Sequence, residues 1–253
     1  MNATYLGLEL RRLSRDKANL FFIAILPAFF YLIFGAAQDY GSESAGNGNV
    51  AFFILVSMAA YGAVTATVGI GGMAAVERMQ GWGRQLGLTP LRDRGFVAVK
   101  ATLAVLVALL PIALIAALGV ATGAEATARA WTLSLTAVIV GAGVFALFGL
   151  CAGLAFRTEA AVGAASGIVV ILAFLGNLFF PLSGTLLTIA KFTPLYGYIS
   201  LARYPVTEGR LISPDGADLG SDPLWLPFAN LGAWALILAV VAVLLVRRGR
   251  GRQ

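Results

Sequence analysis

Residues 50–76 read VAFFILVSMAAYGAVTATVGIGGMAAV, a run without one charged side chain. A helix of that length extends about 40 Å at 1.5 Å per residue, more than the roughly 30 Å hydrocarbon core of a bilayer. Backbone N–H and C=O groups in hydrocarbon have only one another as partners, so the run is read as a membrane-spanning helix. Outward from it lie five comparable runs, at residues 20–37, 96–120, 131–156, 160–182 and 226–246. The 253 residues are 59% apolar and 12% charged, with a mean hydropathy of +0.87. Soluble domains carry about 25% charged residues. The expected fold class is therefore an all-α membrane protein, with residues 1–253 forming a single transmembrane domain of six helices.

The breaks between the runs differ in chemistry. Residues 41–49 (GSESAGNGN) form a polar turn, 77–95 are charged, 122–129 are short, and 157–159 make a hairpin. The longest connection, 183–225, contains Pro194, Pro205, Pro214 and Pro223, too many for one continuous helix. Lys and Arg are retained in cytoplasmic loops. With the amino terminus inside, 14 of the 18 Lys and Arg residues fall on the cytoplasmic side, leaving Arg129, Lys191, Arg203 and Arg210 outside. Both termini are expected in the cytoplasm of a cell membrane, and the 15-to-3 excess of Arg over Lys with abundant Ala and Gly suggests a bacterial source.

Residues 1–19 read as an amphipathic interfacial helix, with Leu6, Leu10 and Leu13 at i, i+4, i+7 spacing and Arg11, Arg12 and Arg15 pointing elsewhere. A cleaved secretory leader ending near Gly35 and Ala37 is the competing reading, which the leucine stripe disfavours. A solvated basic end obeying the charge rule is the plainer alternative.

Several chemistries are disfavoured by composition. There is no histidine, and one cysteine, Cys151, lies within an apolar run, so no metal site is expected. No GxxxxGK[ST] phosphate loop occurs, so no nucleotide hydrolysis, no catalytic residue and no cofactor are expected in this chain. The net charge of +6 is explained by loop placement rather than by nucleic acid. The six spans contain no Asp or Glu, and Lys100, their only basic residue, is expected to snorkel to the inner surface. Ion-coupled carriers use ionisable groups inside the membrane, so this pattern weighs against one. Gly149-x-x-x-Gly153 and Gly163-x-x-x-Gly167 suit close helix packing, within one subunit more than between two. Phe52, Phe53, Phe174, Phe179 and Phe180 read as core or lipid-facing rings, with an apolar route as the sharper alternative.

Residues 77–82 (ERMQGW) and 84–91 (RQLGLTPL) follow the second span. They place an acid–base pair, Glu77 and Arg78, at the inner helix end, Gly81 four residues on, and then Arg84, Gln85, Leu86, Thr89, Pro90 and Leu91. Later come Phe180-Pro181-Leu182, the run 191–197 (KFTPLYG) and Leu201-Ala202-Arg203. The order of these motifs, with the six helices and inside termini, resembles the permeases of ABC-2 type exporters over nearly the whole chain.

The resemblance implies a permease subunit that joins a second permease, as a homodimer or pseudo-dimer, and two separate ATP-binding subunits that hold Mg-ATP. It implies that the amino-terminal helix and residues 77–91 contact the ATPase, and that short re-entrant outer helices bearing Asn177, Pro181, Pro194, Tyr196 and Arg203 cap the path. The cargo would be an amphipathic drug, antibiotic or lipid moved outward. Residue chemistry alone leaves open an ordinary extracellular loop in place of the cap, and a basic topological anchor in place of the ATPase contact. A self-sufficient channel or secondary carrier and a non-transporting scaffold remain the rival functions.

Overall fold

The computed structural model describes residues 3–77, 93–212 and 217–250. Helix α1 (Ala3–Arg15) lies ahead of α2 (Lys17–Ala36), and a short 3-10 turn (Asp39–Ser42) follows. Then come α3 (Val50–Glu77), α4 (Asp93–Ala121), α5 (Ala128–Phe156) and α6 (Glu159–Leu175). Two short helices, α7 (Gly184–Ala190) and α8 (Pro194–Thr207), precede strands β1 (Arg210–Ile212) and β2 (Asp218–Ser221) and the last helix α9 (Trp225–Arg250). Five helices, α2, α3, α4, α5 and α9, are long and apolar enough to cross a membrane, so the chain is a helical, membrane-embedded protein.

The uncharged run that decides the fold becomes the hub. Helix α3 packs against α2, α4, α5, α6 and α8. Its most apolar stretch is 78% buried against 17% for α9, whose outer face carries exposed Leu236, Ile237, Val240 and Leu244. An apolar helix buried on all sides needs no amphipathic pattern, which explains why residues 50–76 show none. The α3–α5 crossing is close because glycines face backbone. A Cβ on Gly149 would stand 2.0 Å from the Val68 carbonyl oxygen, one on Gly153 2.4 Å from that of Gly72, and one on Gly71 2.1 Å from that of Ala146. The first small-residue motif thus packs within the chain, while Gly163 and Gly167 on α6 face open space.

Helix α2 is continuous but not uniform. Phe21–Ile25 and Leu32–Ala36 are π-helical turns flanking an α-helical turn that begins at Leu26 and Pro27. Its Tyr31 hydroxyl reaches Thr122 Oγ1 at 2.8 Å. At the same end of the bundle, Asn49 ties the start of α3 to the α4–α5 turn. Its side-chain oxygen accepts from the N–H groups of Phe52 and Glu125, and its amide donates to the Gly123 carbonyl.

One expectation is corrected. The fifth run was expected to be helical over 160–182, but α6 ends at Leu175; Asn177 takes a left-handed conformation (φ 64°), its side chain accepts from the Leu182 N–H, and Pro181 follows. An L-residue at positive φ followed by proline does not continue a helix. The fold is helical as expected, with one small hairpin in which β1 and β2 pair antiparallel, Arg210 opposite Ser221 and Ile212 opposite Asp218. The expected helical break in the long connection is present: Thr193 caps α8, accepting from the Tyr196 N–H, and Pro194 occupies the first turn where its missing donor costs nothing. Pro205, however, sits inside α8.

Candidate functional site

The most densely charged interior of the described residues lies where α1 meets α3 and α4. Helix α1 turns Leu6, Glu9 and Leu13 toward the bundle, and its two leucines pack against Ile23, Ala66, Ile70 and Leu103. The stripe runs through Glu9 rather than Leu10, which is exposed, as are Arg11 and Arg15. A carboxylate on an apolar face must find a cation. Lys100 Nζ lies 2.8 Å from Glu9 Oε1 and 2.6 Å from Glu77 Oε2. The other Glu77 oxygen accepts from Arg12 at 2.7 Å. The side chains of Glu9, Glu77 and Lys100 are only 8 to 12% exposed, whereas that of Arg12 is 58% exposed.

This arrangement revises three expectations. Lys100 does not snorkel to solvent; it ends on two buried carboxylates. Helix α3 extends through Glu77, so its charged terminus is inside the packed structure. Arg12 does not simply point away, since it closes the cluster from the exposed side. The Tyr5 hydroxyl belongs to the same group: burial, its hydrogen bond to Glu9 and the charges of Glu9 and Glu77 hold it well above the ordinary phenol range. Lys100 Nζ also lies 6.0 Å from the Tyr5 ring centroid, at the limit of a cation–π contact.

Beside the cluster is a cavity of about 450 Å³. Its charged lining is Glu9, Arg12, Asp16, Glu77, Lys100 and Glu159, and its apolar walls include Phe22, Ile70, Met73, Leu103 and Val162. Glu77 is the last residue of α3, so the cluster stands at the entry to the segment in which the ATPase contact was expected. Arg78, Gly81, Arg84, Gln85, Leu86, Thr89, Pro90 and Leu91 lie outside the described residues.

At the opposite end, Asn177 and Arg203 meet as one unit. The buried Arg203 guanidinium donates to Ser57 Oγ from two nitrogens, and to the carbonyls of Asn177 at 2.6 Å and Leu178 at 2.7 Å. It stacks 4.0 Å from the centroid of Phe53. A cation with no ion-pair partner among the described residues is thereby held by dipoles and a ring face, and it fixes the irregular chain after α6 against α3. Tyr196 joins a second unit, donating to Asp222, whose other oxygen takes Lys191 Nζ at 2.6 Å. Burial, then the hydrogen bond to Asp222 and its charge, keep the Tyr196 hydroxyl above its usual range. Pro194 is buried, and Pro181 lies half-buried in the turn after α6.

Sequence reasoning missed Glu9, Ser57, Lys191 and Asp222. Glu9 had a signal, since it sits three residues after Leu6 and four before Leu13 on the apolar stripe. The other three meet these partners through tertiary contacts, 26 to 146 residues away in sequence. Neither family models nor curated proteins provide a match to the chain.

Proposed function

We propose that this chain is the permease subunit of an ATP-driven exporter of the ABC-2 type, which moves an amphipathic compound outward across a cell membrane. Two copies, or this chain and a similar one, span the membrane six times each, with α6 and residues 176–183 together making the fifth crossing. Two separate subunits bind and hydrolyse Mg-ATP on the cytoplasmic side, where α1 and the 77–91 segment meet them. The outer helices α7 and α8 close the path from outside, with Arg203 and Asn177 holding the turn that joins them to α6.

The observation that carries this reading is the buried Glu9–Lys100–Glu77 cluster with Arg12. It binds the interfacial helix to the facing ends of α3 and α4, the two helices that flank the 78–92 segment. A push on α1 or on that segment then reaches both helices through short ionic contacts rather than through a flexible joint. The test is copurification and transport at matched expression. Glu77→Ala and Arg84→Glu should insert normally yet lose transport, ATPase association or both. Wild-type values for both properties in both variants would return the segment to a topological anchor.

The charged cavity gives specific support to one alternative, a self-sufficient carrier. Transport by the lone chain in proteoliposomes without any ATPase would establish that reading instead.

A further inference from the structure

We propose that the outward stripe of α1 binds the anionic headgroups of inner-leaflet phospholipid. This goes beyond the exporter reading and takes from it only the cytoplasmic placement of α1. Helix α3 has 28 residues, about 42 Å at 1.5 Å per residue, which matches the roughly 40–45 Å of a bilayer with its headgroups. Its last two turns, from Ile70 to Glu77, therefore stand in the inner headgroup layer. Helix α1 docks at that level: Leu6 and Leu13 pack on the cluster that contains Ile70, and Arg12 reaches Glu77 at 2.7 Å. A helix held there is flanked by phospholipid headgroups rather than by open cytosol.

The side of α1 turned away from the bundle suits that neighbour. Leu8, Arg11 and Arg15, at i, i+3 and i+7, form one exposed stripe, and none of the three lines the groove beneath the helix. Leu8 is 60% exposed, an apolar side chain that the acyl boundary takes out of water. Arg12 and Lys100 are neutralised by Glu77 and Glu9. Arg11 and Arg15 have no ion-pair partner among the described residues, and neither has Lys17, exposed at the start of α2. Asp16 is the one acid beside these three cations, and its carboxylate accepts the Asn19 N–H at 3.0 Å. Within two turns of Lys17, Phe21, Phe22 and Ile25 are exposed side by side, which marks where the hydrocarbon begins. The cations thus stand at the depth of the lipid phosphates, one step outside a run of lipid-facing side chains. Lys and Arg clustered on an amphipathic helix next to a membrane span attract anionic lipid. An acidic protein surface would also match the arginines, but the depth of α1 in the headgroup layer favours lipid.

Full-length chain with Gly7→Cys, where a side chain meets nothing within 4 Å, and with the buried Cys151 replaced by alanine, is labelled with bimane and reconstituted in phosphatidylcholine vesicles. Brominated phosphatidylglycerol or brominated phosphatidylcholine is included at equal mole fraction, and quenching reports which lipid gathers around α1. Phosphatidylglycerol should be preferred by about fivefold or more at low salt. Raising the salt to about 0.5 M should remove most of that preference, because the contact is ionic and exposed. Arg11→Gln with Arg15→Gln should cut it by about threefold or more, whereas Arg247→Gln with Arg248→Gln, exposed cations on α9, should leave it unchanged. Equal quenching by the two lipids, an undiminished preference in the α1 double variant, or the same loss from the α9 variant would each overturn the assignment. ATPase copurification is read separately on the same variants. Loss of that association in the α1 variant with lipid preference intact would assign the stripe to a protein partner instead. A wild-type chain that prefers phosphatidylglycerol but retains no ATPase would refute the exporter reading and leave the lipid site standing.

Discussion

Replacing Lys100 with methionine tests the cluster on which the functional reading rests. The substitution keeps the length of the side chain and removes the charge that Glu9 and Glu77 share at 2.8 and 2.6 Å. Glu77 retains Arg12, but Glu9 loses its ion pair while 12% exposed. Breaking a buried pair from one side typically costs about 3–5 kcal/mol. The expected loss is therefore about 3–5 kcal/mol. Removing all three charges, Glu9→Gln/Glu77→Gln/Lys100→Met, should recover most of it, because a buried ion pair contributes little net stability over neutral groups of similar shape. Equilibrium unfolding in mixed micelles, with α1 detachment followed by labelling of a cysteine at Leu6, measures both. A single variant within about 1 kcal/mol of wild type, or a triple variant no better than the single, would refute the argument that the three charges are mutually obligatory.

Topology is tested by cysteines at Ser44 and Ser221, which should label from outside intact cells, while one at Gln85 should not; reversed labelling would invert the bundle. A cysteine at Tyr196 should react far more slowly with a bulky impermeant reagent than one at Ser221, because Tyr196 is fully buried and Ser221 exposed, and equal rates would contradict the packed outer helices. Arg203→Lys should destabilise by about 2–4 kcal/mol despite keeping the charge, since one ammonium cannot replace a fork that reaches Ser57, Asn177 and Leu178 together; thermal unfolding near wild type would show the fork to be dispensable. Gly149→Ala should abolish correct folding through its collision with the Val68 carbonyl, whereas Gly163→Ala should be tolerated, and size-exclusion profiles of the two variants would separate these outcomes.

The membrane class and the five long helices were legible to within about four residues, because long apolar runs have one physical solution in hydrocarbon. Boundaries failed where the apolar signal outlasted the helix. Residues 176–182 (GNLFFPL) are as apolar as a span, yet the positive φ of Asn177 and the ring of Pro181 end α6 early, and Arg203 supplies the donors that the irregular carbonyls need. Hydropathy counts side chains and is blind to a partner contributed from elsewhere in the chain. The same limit hid the charged interior: Glu77 and Lys100 were visible as isolated charges at the margins of spans, but their pairing through Glu9 depends on how α1 docks. The family resemblance singled out Glu77, which stands in the charged cluster, while most of the residues it names beyond Glu77 lie outside the described structure.

The two wide turns of α2 have a geometric consequence of their own. Its inward residues Ile23, Pro27, Tyr31 and Gly35 recur every fourth position. On an ideal α-helix, at about 100° per residue, four positions overshoot a full turn by roughly 40°, so the stripe would wind around the cylinder by about 120° from Ile23 to Gly35. Turns closed by i→i+5 bonds advance less per residue and unwind that drift, keeping a four-residue repeat aimed at one wall. The helix is in effect geared to the periodicity of its own side chains. Tightening either wide turn to ordinary winding would swing Tyr31 or Gly35 off the bundle, so the inward placement of both residues depends on the two wide turns that flank the Pro27 turn.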